Sequence, residues 1–159
     1  MKNISLPVAL GLIVALVVID QAVKAVIERT MALGQMIEII PFLALLRAHN
    51  DGVAFSMLGG VSHMTLIIIT SLISLGAFIY LWRSPASEIG LRIGLALIIG
   101  GAIGNIIDRI QHAYVIDYIY VHTPVWAFAI FNLADVFITL GAVLILVDEI
   151  LLKPRRQTV

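Results

Sequence analysis

Cysteine is absent from this 159-residue chain, and charged residues are scarce, at 13% of the sequence. The absence of cysteine excludes disulfide bonds, thiolate metal sites and a cysteine nucleophile. Ten basic and ten acidic residues give a formal net charge of zero, so no basic surface indicates nucleic-acid binding. Any chemistry that the chain performs must therefore use other side chains.

Two motifs of other hydrolases are missing as well. The chain has no H-E-x-x-H motif for a zinc peptidase and no G-x-S-x-G motif for a serine nucleophile. Its histidines are scattered and form no i,i+4 pair, so we expect neither a metal site nor a cofactor. They are His49, His63, His112 and His122.

Apolar residues, by contrast, are abundant. They make up 61% of the sequence, and the mean hydropathy is +1.08. Helices of a soluble domain carry a polar face every 3.6 residues, and the apolar segments of this chain lack one. The composition therefore predicts a single integral membrane domain over residues 1–159 and argues against a soluble helical bundle.

Four apolar segments are predicted to be transmembrane helices of alternating direction. The clearest runs from Met64 to Trp82, whose uncharged residues cover about 28 Å of a hydrocarbon layer about 30 Å thick. The first segment has no small-x-small cleavage site after it, so we expect it to be retained. Arg92, near the start of the third, is expected to snorkel or to lie at the interface. The predicted helices cover about residues 6–27, 62–82, 89–107 and 128–152.

The basic residues predict how these helices are oriented. They are more numerous at the two termini and between the second and third helices than at the opposite end. By the positive-inside rule, both termini are expected in the cytoplasm. The other two connections then face outward: residues 28–61 are expected to form a small cap, and residues 110–126 an extended segment at the interface.

Polar residues gather at the outward ends of the predicted helices. An ionisable group in a membrane is costly, so each needs a partner or a function. Alternating helix directions bring all of them to one side of the membrane. They are Asp20, Gln21 and Lys24 on the first helix, Asn105, Asp108 and Arg109 on the third, Asn132 and Asp135 on the fourth, and Asn50, Asp51 and Asp117 on the connections.

These residues also have purely structural interpretations. Asp20 and Lys24 are spaced i,i+4 and can neutralise each other. Asn132 and Asp135 have the spacing of a helix N-cap and its third residue. Charges at the end of the third helix can be ordinary interfacial residues, and its glycines at small-xxx-small spacing are typical of helix packing. These glycines are Gly90, Gly94, Gly100 and Gly104.

Asp117 and Asp135 are two carboxylates that the chain can bring together. Asp117 lies in an apolar extended segment and Asp135 near the start of the fourth helix, so the chain between them can fold back. Two neighbouring carboxylates cannot both ionise cheaply in a low dielectric, so they would share one proton near neutral pH. An aspartic peptidase needs that electrostatic state.

Five short motifs occur in order along nearly the whole chain and are similar to those of a known protein family. They are DQAVK at 20–24, NDGVAFS at 50–56, GGAIGNIIDR at 100–109, VIDYI at 115–119 and FNLAD at 131–135. On these motifs the chain resembles the lipoprotein signal peptidases (signal peptidase II) of bacteria. Tyr118 and Ile116 stand where that family usually has Phe and Val, which are conservative differences.

The resemblance implies a fold and a set of site residues. With the four predicted helices, it implies an all-α membrane protein of four antiparallel transmembrane helices. A small β-rich extracytoplasmic cap and a short interfacial helix are expected between helices 1 and 2. It also implies that Asp117 and Asp135 are the catalytic pair. The matching residues implied to support the pair or line the substrate site are Asp20, Lys24, Asn50, Gly52, Asn105, Asp108, Arg109, Asn132 and Ala134.

The resemblance further implies an intramembrane aspartic endopeptidase of the bacterial inner membrane, with its active site near the extracytoplasmic face. Its expected partners are a diacylglyceryl-modified prolipoprotein, cut before the lipid-bearing cysteine, and membrane lipids. No nucleic acid is expected to bind, and the chain is expected to be a monomer. Two alternatives use the same polar residues: a small transporter or proton-relay subunit, and a noncatalytic assembly partner held together by buried polar groups.

Overall fold

The structure is a computed structural model that describes residues 3–52, 62–123 and 125–152. Helices and the strands of a small sheet alternate along this part of the chain. In chain order the elements are α1 (Leu6–Thr30), β1 (Met36–Ile40), β2 (Leu43–Asn50), α2 (His63–Arg83), α3 (Ile89–His112), β3 (Val115–Thr123), β4 (Trp126–Ala127), α4 (Leu133–Val147) and a π-helical turn (Asp148–Leu152).

Three helices, α1, α2 and α3, are long and apolar enough to cross a membrane. They contain 25, 21 and 24 residues, which correspond to about 32–38 Å of helix. Pro7 lies in the first turn of α1, where the backbone N–H that proline lacks would have no helical partner. Ser62 caps α2, because its hydroxyl accepts a hydrogen bond from the Thr65 N–H at 3.2 Å.

The prediction of an all-α fold with four transmembrane helices is wrong. α4 contains 15 residues, which cover about 22 Å and fall short of a hydrocarbon layer about 30 Å thick. The residues just before it, predicted to be helical, are extended because the Phe131 backbone pairs with Ile119. The Ile119 N–H donates to the Phe131 carbonyl at 2.7 Å, and the Phe131 N–H donates back at 3.1 Å. The described residues therefore contain three candidate spans.

The sheet is built from two connections of the chain, whereas the predicted cap was built from one. It has four antiparallel strands in the order β1-β2-β3-β4, and β2 pairs with β3 from Leu43 opposite Val121 to Asn50 opposite Val115. The connection after α1 and the connection after α3 thus form one sheet. The predicted interfacial helix is not found in residues 31–52, and residues 53–61 lie outside the described part of the chain.

α3 is the central helix and contacts α1, α2 and α4. Its buried residues include Leu91, Leu95 and Ile99, whereas α1 and α2 expose most of their apolar side chains. Glycines allow α3 and α4 to approach closely: a Cβ at Gly141 would lie 2.5 Å from the Gly94 carbonyl oxygen. The glycines therefore serve helix packing, as their spacing indicates.

Arg92, predicted to snorkel or to lie at the interface, binds the end of α2 and does not extend into solvent. Its side chain is buried, and its Nη1 donates to the carbonyl oxygens of Leu81 at 2.9 Å and Ser84 at 2.6 Å. These carbonyls belong to the end of α2, where the last backbone acceptors lack helical partners. The guanidinium therefore caps α2 from α3 and offsets the negative end of its dipole.

Replacing Gly141 with Ala is expected to lower the free energy of unfolding by about 1–3 kcal/mol, because the new methyl group overlaps the backbone of α3. The measurement is thermal unfolding of the purified protein in detergent. Gly76→Ala on α2 is the matched control, since a Cβ at Gly76 meets nothing within 4 Å. Equal melting temperatures for the two variants would contradict the close approach of α3 and α4.

Candidate active site

The site lies where the last turns of α1 and α3 meet the first turn of α4 and the sheet. The polar residues that the sequence places on the outward side meet there, except Asp51, which is exposed. Of the five segments that contribute, three are helices and two are strands, β2 and β3. The side chains form one connected set of hydrogen bonds and ion pairs, which begins at a buried lysine.

Lys24 is the centre of the ionic part of the site. Its Nζ lies 2.8 Å from the Asp20 carboxylate and 2.8 Å from the Asp108 carboxylate, and it donates to the Asn105 side-chain oxygen at 3.0 Å. All four side chains are buried. The i,i+4 pair of Asp20 and Lys24 therefore forms, but it is part of a larger cluster that joins α1 to α3.

The two carboxylates of this cluster also bind backbone groups of other elements. Asp20 accepts a hydrogen bond from the Ala134 N–H at 3.1 Å, and Asp108 accepts one from the Ile116 N–H at 3.2 Å. Ala134 lies in the first turn of α4, where backbone N–H groups lack helical partners. The cluster thus fixes both the start of α4 and the start of β3.

Gln21 and Gly104 complete the cluster, and neither was predicted to be a site residue. The Gln21 side-chain amide donates to Asp108 at 2.8 Å and to the Gly104 carbonyl at 3.2 Å. A Cβ at Gly104 would collide with the Asp20 carboxylate, so this position requires glycine. The sequence signal for Gln21 was its place among the outward polar residues and within the DQAVK motif.

Asp117, on β3, is held by two asparagine amides. Asn132 donates to one carboxylate oxygen at 2.6 Å and Asn50 donates to the other at 2.8 Å. The Asn50 oxygen in turn accepts from the Gly52 N–H at 2.8 Å, and Gly52 has φ +88°, a conformation that favours glycine. Burial raises the pKa of Asp117 to about 6 against the opposing effect of these hydrogen bonds, and the nearby Asp135 carboxylate adds to the rise.

Asp135 lies in the first turn of α4. Its carboxylate accepts from the Asn105 amide at 2.8 Å and from the Asn132 backbone N–H at 3.2 Å. The Asp135 N–H donates to the Asn132 side-chain oxygen at 3.1 Å, which completes a capping box. The capping interpretation therefore holds, and the same Asn132 side chain contacts both aspartates.

The remaining predicted residues line this arrangement. Arg109 is partly buried, donates to the Asn105 carbonyl at 3.4 Å, and interacts electrostatically with Asp135 and Asp117. Ala134 is fully buried between α4 and α3. Every residue predicted for the site thus lies in or against the cluster, and the described residues contain no group of three acidic or histidine side chains suited to a metal ion.

An apolar groove of about 460 Å³ opens beside Asp135. Its walls come from α4 and from the extended segment that precedes it. A carboxylate at the edge of an apolar groove can act on a substrate that is itself largely apolar. The lining residues are Phe128, Ala129, Ile130, Phe131, Asp135, Val136, Thr139 and Leu140.

The chain is similar to known proteins in both sequence and fold. The sequence profile of signal peptidase (SPase) II matches residues 12–151. The lipoprotein signal peptidases of Brucella ovis and Brucella abortus are each 49% identical to this chain over 152 residues, which is 95% of this chain and 94% of theirs.

Two solved structures of bacterial membrane enzymes have a similar fold. One superposes with a TM-score of 0.84 at 29% identity and covers 94% of this chain and 97% of its own. The other has a TM-score of 0.82 at 30% identity and covers 93% and 90%. The similarity in sequence and in fold thus extends over nearly the whole chain.

Replacing Lys24 with Met is expected to destabilise the protein by about 3–5 kcal/mol, because two buried carboxylates lose their counter-charge. Unfolding in detergent measures the change. Arg29→Met is the control: Arg29 is exposed in the last turn of the same helix, and its replacement should change stability by less than about 0.5 kcal/mol. A similar loss for both variants would show that the cluster does not hold the fold.

The raised pKa of Asp117 predicts a pH-dependent stability. The folded protein holds this proton up to about pH 6, whereas an unfolded chain releases it near 3.8, so the free energy of unfolding should fall as the pH rises between these values. Asp117→Asn should remove that part of the slope, and Asp51→Asn, at an exposed carboxylate, should not. Identical slopes for both variants in unfolding from pH 4 to 7 would contradict the assignment.

Proposed function

The chain belongs to the signal peptidase II family, and from the geometry of its site we propose that it is an aspartic endopeptidase in which Asp117 and Asp135 form the catalytic pair. Family membership and three apolar helices make it a protease of a bacterial membrane with lipoprotein signal peptidase function. The observation that carries the proposal is the position of Asn132, which contacts both aspartates at once.

The substrate proposed is a diacylglyceryl-modified prolipoprotein, cleaved just before the lipid-bearing cysteine. Such a substrate has an apolar signal segment and acyl chains, and the groove beside Asp135 offers an apolar surface next to a carboxylate. The peptide bond would reach the aspartates from the aqueous side while the apolar parts stay within the membrane. This arrangement explains why a hydrolytic site lies at the ends of apolar helices.

The proposed reaction uses the two carboxylates in different protonation states. The ionised carboxylate takes a proton from water, and the water oxygen attacks the scissile carbonyl carbon. The protonated carboxylate hydrogen-bonds the carbonyl oxygen, where negative charge develops. Collapse of the tetrahedral intermediate breaks the C–N bond as the leaving amine takes up a proton from the pair of carboxyl groups, which returns the pair to its singly protonated state. Burial of Asp117 favours a shared proton, because it raises the pKa of that group to about 6.

The surrounding residues are proposed to position this pair. Asn50, Asn105 and Asn132 orient the carboxylates through their amides. Arg109 supplies positive charge that can stabilise the developing oxyanion. Lys24 and Asp20 brace α1 against α3 and α4. We propose further that the chain acts as one membrane domain and as a monomer, with the N-terminus in the cytoplasm and the site near the extracytoplasmic face.

The test is to replace Asp117 and Asp135 separately with Asn and to follow cleavage of a lipidated precursor by gel mobility. Each variant is expected to lose at least about 100-fold in rate, because one proton-transfer group is missing. Asp51→Asn changes an exposed carboxylate beside Asn50 and should leave the rate unchanged. Cleavage at the parent rate by either folded dyad variant would contradict the proposal and favour a noncatalytic role.

A further inference from the structure

Tyr118 contacts the chain on both sides of Asn132. Its backbone N–H donates to the carbonyl oxygen of Phe131 at 3.1 Å, and its hydroxyl oxygen accepts from the backbone N–H of Leu133 at 3.2 Å. Asn132, whose amide holds Asp117 at 2.6 Å, lies between these two anchor points. One residue, next to Asp117 on β3, therefore fixes the backbone from which the Asn132 side chain projects.

The two anchors of Tyr118 differ in what they require. Any residue can supply the backbone N–H that binds Phe131. The hydroxyl contact needs tyrosine, because Leu133 is the first residue of α4 and its N–H has no acceptor within the helix. Phenylalanine at position 118 would leave this donor without its partner while keeping the ring in its apolar surroundings of Ile27, Met31 and Ile116.

The phenol stays protonated in this environment. Tyr118 is only 4% exposed, and burial raises its pKa, with the negative charges of Asp20, Asp135 and Asp108 adding to the rise. A neutral hydroxyl accepts the Leu133 N–H through a lone pair and retains its own proton for donation. The contact therefore persists over the pH range in which Asp117 titrates.

We propose that the Tyr118 hydroxyl is a positioning group for the aspartate pair: it holds the first turn of α4 against β3 and so keeps the Asn132 amide on Asp117. The kinetic test of this inference rests on the proposed function, whereas the spectroscopic test does not. Tyr118 acts through Leu133 and Asn132 and is given no contact with substrate.

Tyr118→Phe is expected to lower kcat by about 2- to 10-fold, the effect of one lost hydrogen bond, with KM within about twofold of the parent value. The looser Asn132 amide should stabilise the charged Asp117 less well, since that hydrogen bond lowers the pKa of Asp117. The Asp117 titration and the limb of the pH–rate profile near pH 6 should therefore both move to higher pH.

Tyr120→Phe is the matched control. Tyr120 lies two residues further along β3, stacks on His122, and has no hydroxyl hydrogen bond to the described residues. Its replacement should leave kcat, KM and the pH profile unchanged. A shift as large as that of Tyr118→Phe would show that loss of any hydroxyl from this strand has the same effect and would overturn the inference.

Leu133→Pro removes the donor instead of the acceptor. Proline is favoured at the first position of a helix, and Asn132 already has the extended conformation that a residue before proline requires. Leu133→Ala accounts for the loss of the leucine side chain. If one hydrogen bond is responsible, the loss of kcat in Leu133→Pro, after subtraction of the loss in Leu133→Ala, should equal the loss in Tyr118→Phe. The double variant, Tyr118→Phe with Leu133→Pro, should then lose no more kcat than Leu133→Pro alone. Fully additive losses would overturn the inference.

The decisive readout is the titration of Asp117 followed by ¹³C NMR of the labelled carboxyl group, assigned by its disappearance in Asp117→Asn. A higher pKa of Asp117 in Tyr118→Phe, with no change in Tyr120→Phe, supports the inference even if no peptide is cleaved. An unchanged Asp117 titration overturns it. Absence of cleavage by the parent protein would instead count against the proposed function, so the two failures are distinguishable.

Discussion

The buried ammonium group of Lys24 is the constraint on which the site depends. A charge in a low dielectric needs close counter-charges, and Asp20 and Asp108 provide them at 2.8 Å each. Both carboxylates then use their remaining acceptor capacity on backbone N–H groups of α4 and β3. One cation thereby determines where three helices and a strand meet.

Part of this arrangement could be predicted from the sequence. The alternating direction of the helices was enough to predict that the polar residues gather at one end of the helices, because the end of one span and the start of the next lie on the same side of the membrane. Apolar composition, however, does not distinguish a helix from a buried extended segment, so residues 128–132 were wrongly assigned to a fourth span although they pair with β3. The partners of Arg92 could not be predicted for a similar reason: they are backbone carbonyls at the end of α2, which a sequence pattern does not reveal.

The capping interpretation of Asn132 and Asp135 and the catalytic role proposed for Asp135 seemed to compete in the sequence, but the geometry of the capping box is compatible with both. The capping box fixes the backbone and both side chains at the start of α4, which leaves the Asn132 amide nitrogen aimed at Asp117. A group that stabilises a helix end is already ordered, so orienting a neighbour costs little additional conformational entropy. Local stability and the geometry of the carboxylates thus both depend on the side chains of Asn132 and Asp135.

The contact between Asp20 and the Ala134 N–H joins residues 114 positions apart. During synthesis Asp20 is made before Ala134, so this contact can form only after α4 has been synthesised. Contacts of such long range form late, because the whole intervening chain has to be ordered first. A nascent chain that lacks α4 therefore contains every residue of α1 but has no assembled site. The protein can hydrolyse a substrate only after α4 has packed against α1 and α3.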